Sequence, residues 1–160
     1  GSGFPISAIG ASADTMARWE PGTHGGTYGG GNAVVLAAAS ATIDVIVDED
    51  LPAAAARRGE QLRDGLRTIV DHAGVTADVR GPGLMVGVEF LRRHRPDAEL
   101  AKRVQRACLD ERMLILGCGP AGNVVRWIPP LVASEDDVDQ ALRRFERAVQ
   151  RSLTQLERAS

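Results

Sequence analysis

An α/β fold, with helices covering a small sheet, is the class this sequence predicts. Leu84, Val86, Val88 and Phe90 alternate with Met85, Gly87 and Glu89, the period-two pattern of a half-buried strand. Three stretches, 51–73, 97–112 and the run that begins at Ser134, carry apolar residues at helical spacing. Gly81-Pro82-Gly83 and Pro129-Pro130 are turn and breaker groups that separate the two kinds of segment.

Residues 1–12 are small and largely apolar and read as a loop leading into a short strand near 7–11. Residues 14–19 suit one helical turn. Beyond a glycine-rich stretch, an Ala-rich helix spans about 32–47, with Asn32 as its N-cap. Asp48-Glu49-Asp50 breaks it and marks a domain boundary, dividing the chain into residues 1–49 and 50–160. Pro52 suits the first turn of the next helix. Leu62, Leu66, Ile69, Val70 and Ala73 form its core face, and Gly74 ends it. Val75, Ala77 and Val79 alternate with polar residues as a strand. Residues 92–97 read as a charged loop, with the basic run Arg92-Arg93-His94-Arg95 a solvated turn. In the following helix Leu100, Val104, Ala107 and Cys108 point inward. Residues 114–116 read as a short buried strand, 117–123 as a glycine-rich turn and 124–128 as a further strand. Ser134 opens the last helix, with Asp137 at the third helical position as in a capping box. Its inner face is Val138, Leu142, Phe145, Val149, Leu153 and Leu156. Met85 and Met113 are assigned to the core.

Composition excludes several classes. The 160 residues are 44% apolar and carry a formal net charge of −2, with both signs mixed along the chain. A dedicated nucleic-acid surface would need a basic excess, so none is expected. No uncharged stretch is long enough to cross a bilayer, and no charged segment followed by an apolar one suggests a signal peptide. A cytoplasmic protein with two reduced thiols, Cys108 and Cys118, is the expectation. His24, His72, His94 and the cysteines share no ligand spacing, so no metal is expected. Lys102 is the single lysine; every other basic residue except histidine is arginine. It falls on the polar side of its helix, where a solvated role is expected.

Two segments carry candidate chemistry. Thr23-His24-Gly25-Gly26-Thr27-Tyr28-Gly29-Gly30-Gly31-Asn32 opens directly onto a helix. Glycines let the backbone approach a ligand, and a helix N-terminus favours anions. A phosphate near Thr27 is one reading, and a surface loop is the other. The stretch is neither a Walker loop nor a dinucleotide fingerprint, because no Gly-Lys-Ser/Thr follows and no clear strand precedes. In the second segment, Arg126 shares a strand face with Val124 and Ile128. A guanidinium on an apolar face needs an anionic partner, which a substrate carboxylate or a structural ion pair would supply.

Four blocks in order carry a resemblance: Gly3-Phe4-Pro5-Ile6-Ser7-Ala8, His24-Gly25-Gly26-Thr27-Tyr28-Gly29-Gly30, Arg80-Gly81-Pro82-Gly83-Leu84-Met85-Val86-Gly87-Val88-Glu89, and Asn123-Val124-Val125-Arg126-Trp127-Ile128-Pro129-Pro130-Leu131. Together they resemble the C-terminal portion of the class III aminotransferases. These are pyridoxal-phosphate-dependent enzymes that include the 4-aminobutyrate, ornithine and acetylornithine aminotransferases. The resemblance covers nearly the whole chain. It implies the C-terminal part of a fold-type-I transferase, with residues 1–49 closing the large cofactor domain and 50–160 forming the small α/β domain. It implies pyridoxal 5'-phosphate as cofactor, with Gly26 and Thr27 at its phosphate across a dimer interface. It implies Arg126 at a substrate carboxylate. The reaction implied passes an amino group from an amino acid or ω-amino acid to a 2-oxo acid such as 2-oxoglutarate.

The family's Schiff-base lysine belongs to a block expected upstream of Gly1. This chain is therefore expected to be inactive alone and to work as a homodimer or with a chain carrying the N-terminal half. The alternative is a non-catalytic relic or interaction module. Two departures from the family pattern are local: three glycines precede Asn32, and Ala33 replaces the common proline.

Overall fold

Residues 2–20 and 31–157 are described by a computed structural model. The chain divides into two units, Gly1–Asp50 and Leu51–Ser160.

The first unit holds helices α1 (Ala13–Met16) and α2 (Ala33–Asp48). Ser12 caps α1, its Oγ accepting from the Thr15 backbone N–H. Asn32 caps α2 as expected, its Oδ1 accepting from the N–H groups of Val34 and Val35 at 3.0 and 3.3 Å. Residues 7–11 form no strand, contrary to the sequence expectation. A strand needs a ladder partner for its backbone groups, and this unit offers no second strand among the described residues. Val34, Leu36, Ile43, Val45 and Val47 of α2 are exposed, and Val35 alone is buried. Phe4, Ile6 and Ile9 are exposed as well.

The second unit is a two-layer sandwich of sheet and helices. Its sheet runs β1 (Ala77–Arg80), β2 (Val86–Arg92), β5 (Val124–Trp127) and β4 (Leu116–Cys118) in spatial order, every neighbour antiparallel. A short strand β3 (Arg95–Pro96) folds back on the end of β2. Helices α3 (Leu51–His72), α4 (Ala98–Asp110) and α5 (Glu135–Glu157) pack on one face. Alternation decides which strand residues meet them. Val79, Val86, Val88, Phe90, Val125 and Trp127 point inward and are buried. They join Leu62 and Leu66 of α3, Val104 and Cys108 of α4, and Val138, Phe145 and Val149 of α5 in one core. Trp127 meets Phe145 edge-to-face at 5.2 Å between ring centroids, tying β5 to α5.

Caps fall where the sequence places them. Ser134 and Asp137 form a reciprocal box at α5: the Asp137 N–H donates to Ser134 Oγ, and the Ser134 N–H donates to Asp137 Oδ2. Gly59 explains much of the Gly81-Pro82-Gly83 block. A β-carbon on Gly59 would stand 2.1 Å from the Gly83 carbonyl oxygen, so α3 approaches this turn only because a side chain is missing there.

Two sequence expectations are corrected and a third is extended. The solvated turn expected at 92–95 is present, and it closes a tight hairpin in which Arg95 and Pro96 pair with the end of β2. Arg93 and His94 both take positive φ, +51° and +63°, as a two-residue type I′ turn requires. Residues 114–116 are not a buried strand: β4 begins at Leu116, Leu114 is 90% exposed, and only Ile115 is buried. Met85 is 56% exposed, because it lies out of phase with Leu84 and Val86, which point into the core.

Candidate functional site

Chemistry concentrates on the sheet face that the helices leave open. Antiparallel register lines its residues up in two cross-strand rows. One row is Arg80, Gly87, Arg126 and Leu116; the other is Asp78, Glu89, Val124 and Cys118. Neighbouring strands lie about 4.8 Å apart, so Arg80 and Arg126 flank Gly87 with backbones separated by about 10 Å. Gly87 presents no side chain between them.

Arg126 is exposed, and among the described residues its guanidinium has neither ion pair nor hydrogen bond. Among the described residues, the structural ion pair that the sequence left open is not formed. Exposed Leu116 and Ile128 lie beside it, and it borders a hollow of about 230 Å3 with Leu114, Ile115 and Pro129. A larger cavity of about 390 Å3 lies at Trp127, Pro130, Val132 and Val138. It is apolar, and its one ionisable neighbour, Asp137, is held by Ser134. Of these two hollows, only the smaller one is lined by a guanidinium.

Arg80, by contrast, is fully engaged. It bonds Asp78 on its own strand and reaches Glu89 Oε2 at 2.7 Å. The other Glu89 oxygen accepts from Asn123 Nδ2 at 3.1 Å. Asn123 is buried; its Nδ2 also donates to the Phe90 carbonyl at 3.0 Å, and its own carbonyl accepts from the Phe90 N–H. The Asn123 hydrogen bond, and then Arg80, hold the Glu89 carboxyl below the usual range, so it is anionic at neutral pH. Arg80, Glu89 and Asn123 all stand inside the quoted sequence blocks, yet sequence reasoning gave them no role. The signal was two charged residues on neighbouring alternating strands, and only the register reveals their meeting.

Gly26, Thr27 and His24 lie outside the described residues. What is described is the helix that follows them. Its first free N–H groups, at Val34 and Val35, are taken by Asn32, which leaves less of the α2 N-terminus for an anion than the sequence suggested. Lys102 is exposed on α4, within the helical layer and away from the open sheet face. Pyridoxal phosphate needs an amine to hold it covalently and a grip for its phosphate. The described residues offer the unpaired guanidinium of Arg126 and no amine beside it, so they do not build a seat for that cofactor by themselves. Both cysteines are free thiols; Cys108 is buried, and that burial pushes it up to about 12.

Comparison with known proteins places this architecture. The family model for class-III aminotransferases matches residues 1–149. The chain is 36% identical over 149 residues to acetylornithine aminotransferase 1 of Bradyrhizobium diazoefficiens, covering 92% of this chain and 34% of that protein. It is 39% identical over 142 residues to the acetylornithine aminotransferase of Methanothermobacter thermautotrophicus, covering 89% of this chain and 34% of that one. Among solved structures, the ornithine aminotransferase of Toxoplasma gondii, with PLP partially occupying its active site, superposes with a TM-score of 0.75 at 30% identity. That match spans 91% of this chain and 33% of the solved one. The chain thus belongs to the class III, pyridoxal-phosphate-dependent aminotransferase family and carries a C-terminal part of its fold-type-I fold. It spans about a third of the length of the curated relatives it matches.

Proposed function

We propose that this chain supplies the substrate-carboxylate grip and part of the cofactor-phosphate grip of an aminotransferase. In that enzyme an amino group passes from an amino acid or ω-amino acid to a 2-oxo acid. The observation that carries the proposal is Arg126, a guanidinium left unpaired on an open, partly apolar sheet face. Arginine offers two parallel donors that match a carboxylate. The buried Trp127 next to it, packed on Phe145, anchors the β5 backbone from which the guanidinium projects.

Pyridoxal phosphate, when bound, supplies the electron sink for the exchange of amino groups. Thr27, with the backbone at Gly26, would hold its phosphate from the partner's side of a dimer. The amine that links the cofactor would come from the two thirds of the relatives' length that this chain does not span. Residues 1–49 belong, on this reading, to the large cofactor domain, and 50–160 form the small domain of a cytoplasmic enzyme. Lys102, solvated on α4, does not substitute for the missing amine.

Mixed with pyridoxal phosphate, an amino donor and 2-oxoglutarate, the 160-residue chain is expected to show no turnover. In the same chain 2-oxoglutarate should shift the Nε–Hε resonance of Arg126, and R126Q should remove the binding. Turnover by the isolated chain, or binding that R126Q leaves intact, would overturn the reading.

A further inference from the structure

The open sheet face carries two arginines and two carboxylates, yet only one of the four is unpaired. Glu89 stands diagonally from Arg80 across β1–β2 and diagonally from Arg126 across β2–β5, because both arginines are registered opposite Gly87. Such diagonal neighbours lie about 7–8 Å apart, within reach of long side chains. By position alone Glu89 could close on either guanidinium. It closes on Arg80, at 2.7 Å through Oε2, while Asn123 takes Oε1 at 3.1 Å. With both oxygens occupied, Glu89 has no reason to turn across Gly87, and Arg126 is left for an external anion.

We infer that Arg80 is a positioning residue: by holding Glu89, it prevents an internal carboxylate from occupying Arg126 and so keeps that grip open to a substrate carboxylate. The inference rests on the reading of Arg126 proposed above. Asn123 serves the same end from the other side, fixing Glu89 to the start of the strand that bears Arg126. Gly87 contributes by absence. A β-carbon there would press on Val124 at 3.3 Å and raise the floor between the two arginines.

Removing Arg80 leaves Glu89 charged, held by Asn123 alone and diagonal to Arg126. It then competes with any carboxylate arriving from solution. The strength of a partly exposed ion pair sets the scale, a loss of affinity of about three- to fivefold.

The test is a titration of the 160-residue chain with 2-oxoglutarate, read on the Nε–Hε resonance of Arg126. R80Q should weaken binding about three- to fivefold, and R80Q/E89Q should restore it to within about twofold of the natural chain. The carboxyl carbon of Glu89 gives a second readout: its titration should move up toward the ordinary range in R80Q. Amide shifts of β2 and β5 report whether each variant folds. If R80Q does not fold, the charge-swapped R80E/E89R chain carries the test and must bind as the natural chain does. An R80Q chain that folds and binds normally, while R126Q abolishes binding, overturns the role of Arg80 and leaves the carboxylate reading standing. Normal binding by R126Q removes both.

Discussion

The two units of this chain treat their apolar residues in opposite ways. In Leu51–Ser160 every helix turns one stripe toward the sheet and leaves a charged face in water; α5 buries Val138, Phe145 and Val149. In Gly1–Asp50, α2 is apolar around its circumference and buries Val35 alone, with Leu36, Ile43, Val45 and Val47 left exposed. A helix that is apolar all round is suited to burial on several sides. The first unit therefore has the composition of an interior without the surroundings of one. The second has its own core and its own caps. The difference teaches that a sequence can encode helix formation locally while the matter that covers the helix lies elsewhere.

Hydrogen exchange offers the largest break or confirmation of this contrast. Amides of α2 should exchange about a thousandfold faster than those of β2, β5 and α5, since protection tracks local opening against a core of ordinary stability. Uniformly slow exchange in a dilute monomer would erase the distinction. Next in size is the core of the second unit. Phe145→Ala removes the ring that meets Trp127 and should destabilise that unit by about 3–5 kcal/mol in denaturant unfolding. A smaller loss is expected at Asn123, which is buried and bridges β5 to β2. Asn123→Ala should cost about 1–3 kcal/mol by stranding its partners, and the titration of Glu89 should move up as its hydrogen bond is lost.

Two smaller effects sharpen the comparison, one in thiol reactivity and one in acid stability. Cys108, buried and pushed up to about 12, should resist thiol reagents at pH 8 until the second unit opens, while half-buried Cys118 reacts first. Two equal, fast labelling phases would contradict this core. Glu89 and Asp137 have carboxyls held below the usual range. A depressed folded value stabilises above the unfolded pKa and is lost as pH falls through the folded one. Acid unfolding should therefore draw on both carboxylates. E89Q should flatten its acid limb in a stability-versus-pH series.

Much of the second unit was legible in the sequence because its signals were local. Leu84 to Phe90 alternate, Gly74 ends a helix, and Ser134 with Asp137 writes a cap in four residues. The misses share a cause. The solvated turn at 92–95 was legible, but Arg93 and His94 take positive φ, where asparagine and glycine are the usual guide, so the strand pairing that the turn closes was not read. The strand near 7–11 was read from small apolar residues, but strands are made by partners, and the first unit has none among the described residues. Arg126 was legible from its place between Val124 and Ile128. The engagement of Arg80 with Glu89 was not, because cross-strand register belongs to two segments at once. The reading of Thr27 and Gly26 rests on family resemblance, and those residues lie outside the described structure.

The distribution of amines has a practical outcome. Lys102 stands on α4, exposed, within the layer opposite Arg126. No other side chain in the protein carries a primary amine. With the α-amine blocked, acylating reagents that spare guanidinium groups can therefore couple a dye, a polymer or a sensor chip to the helical side at one defined side-chain position, with the arginine-bearing surface presented outward to the medium.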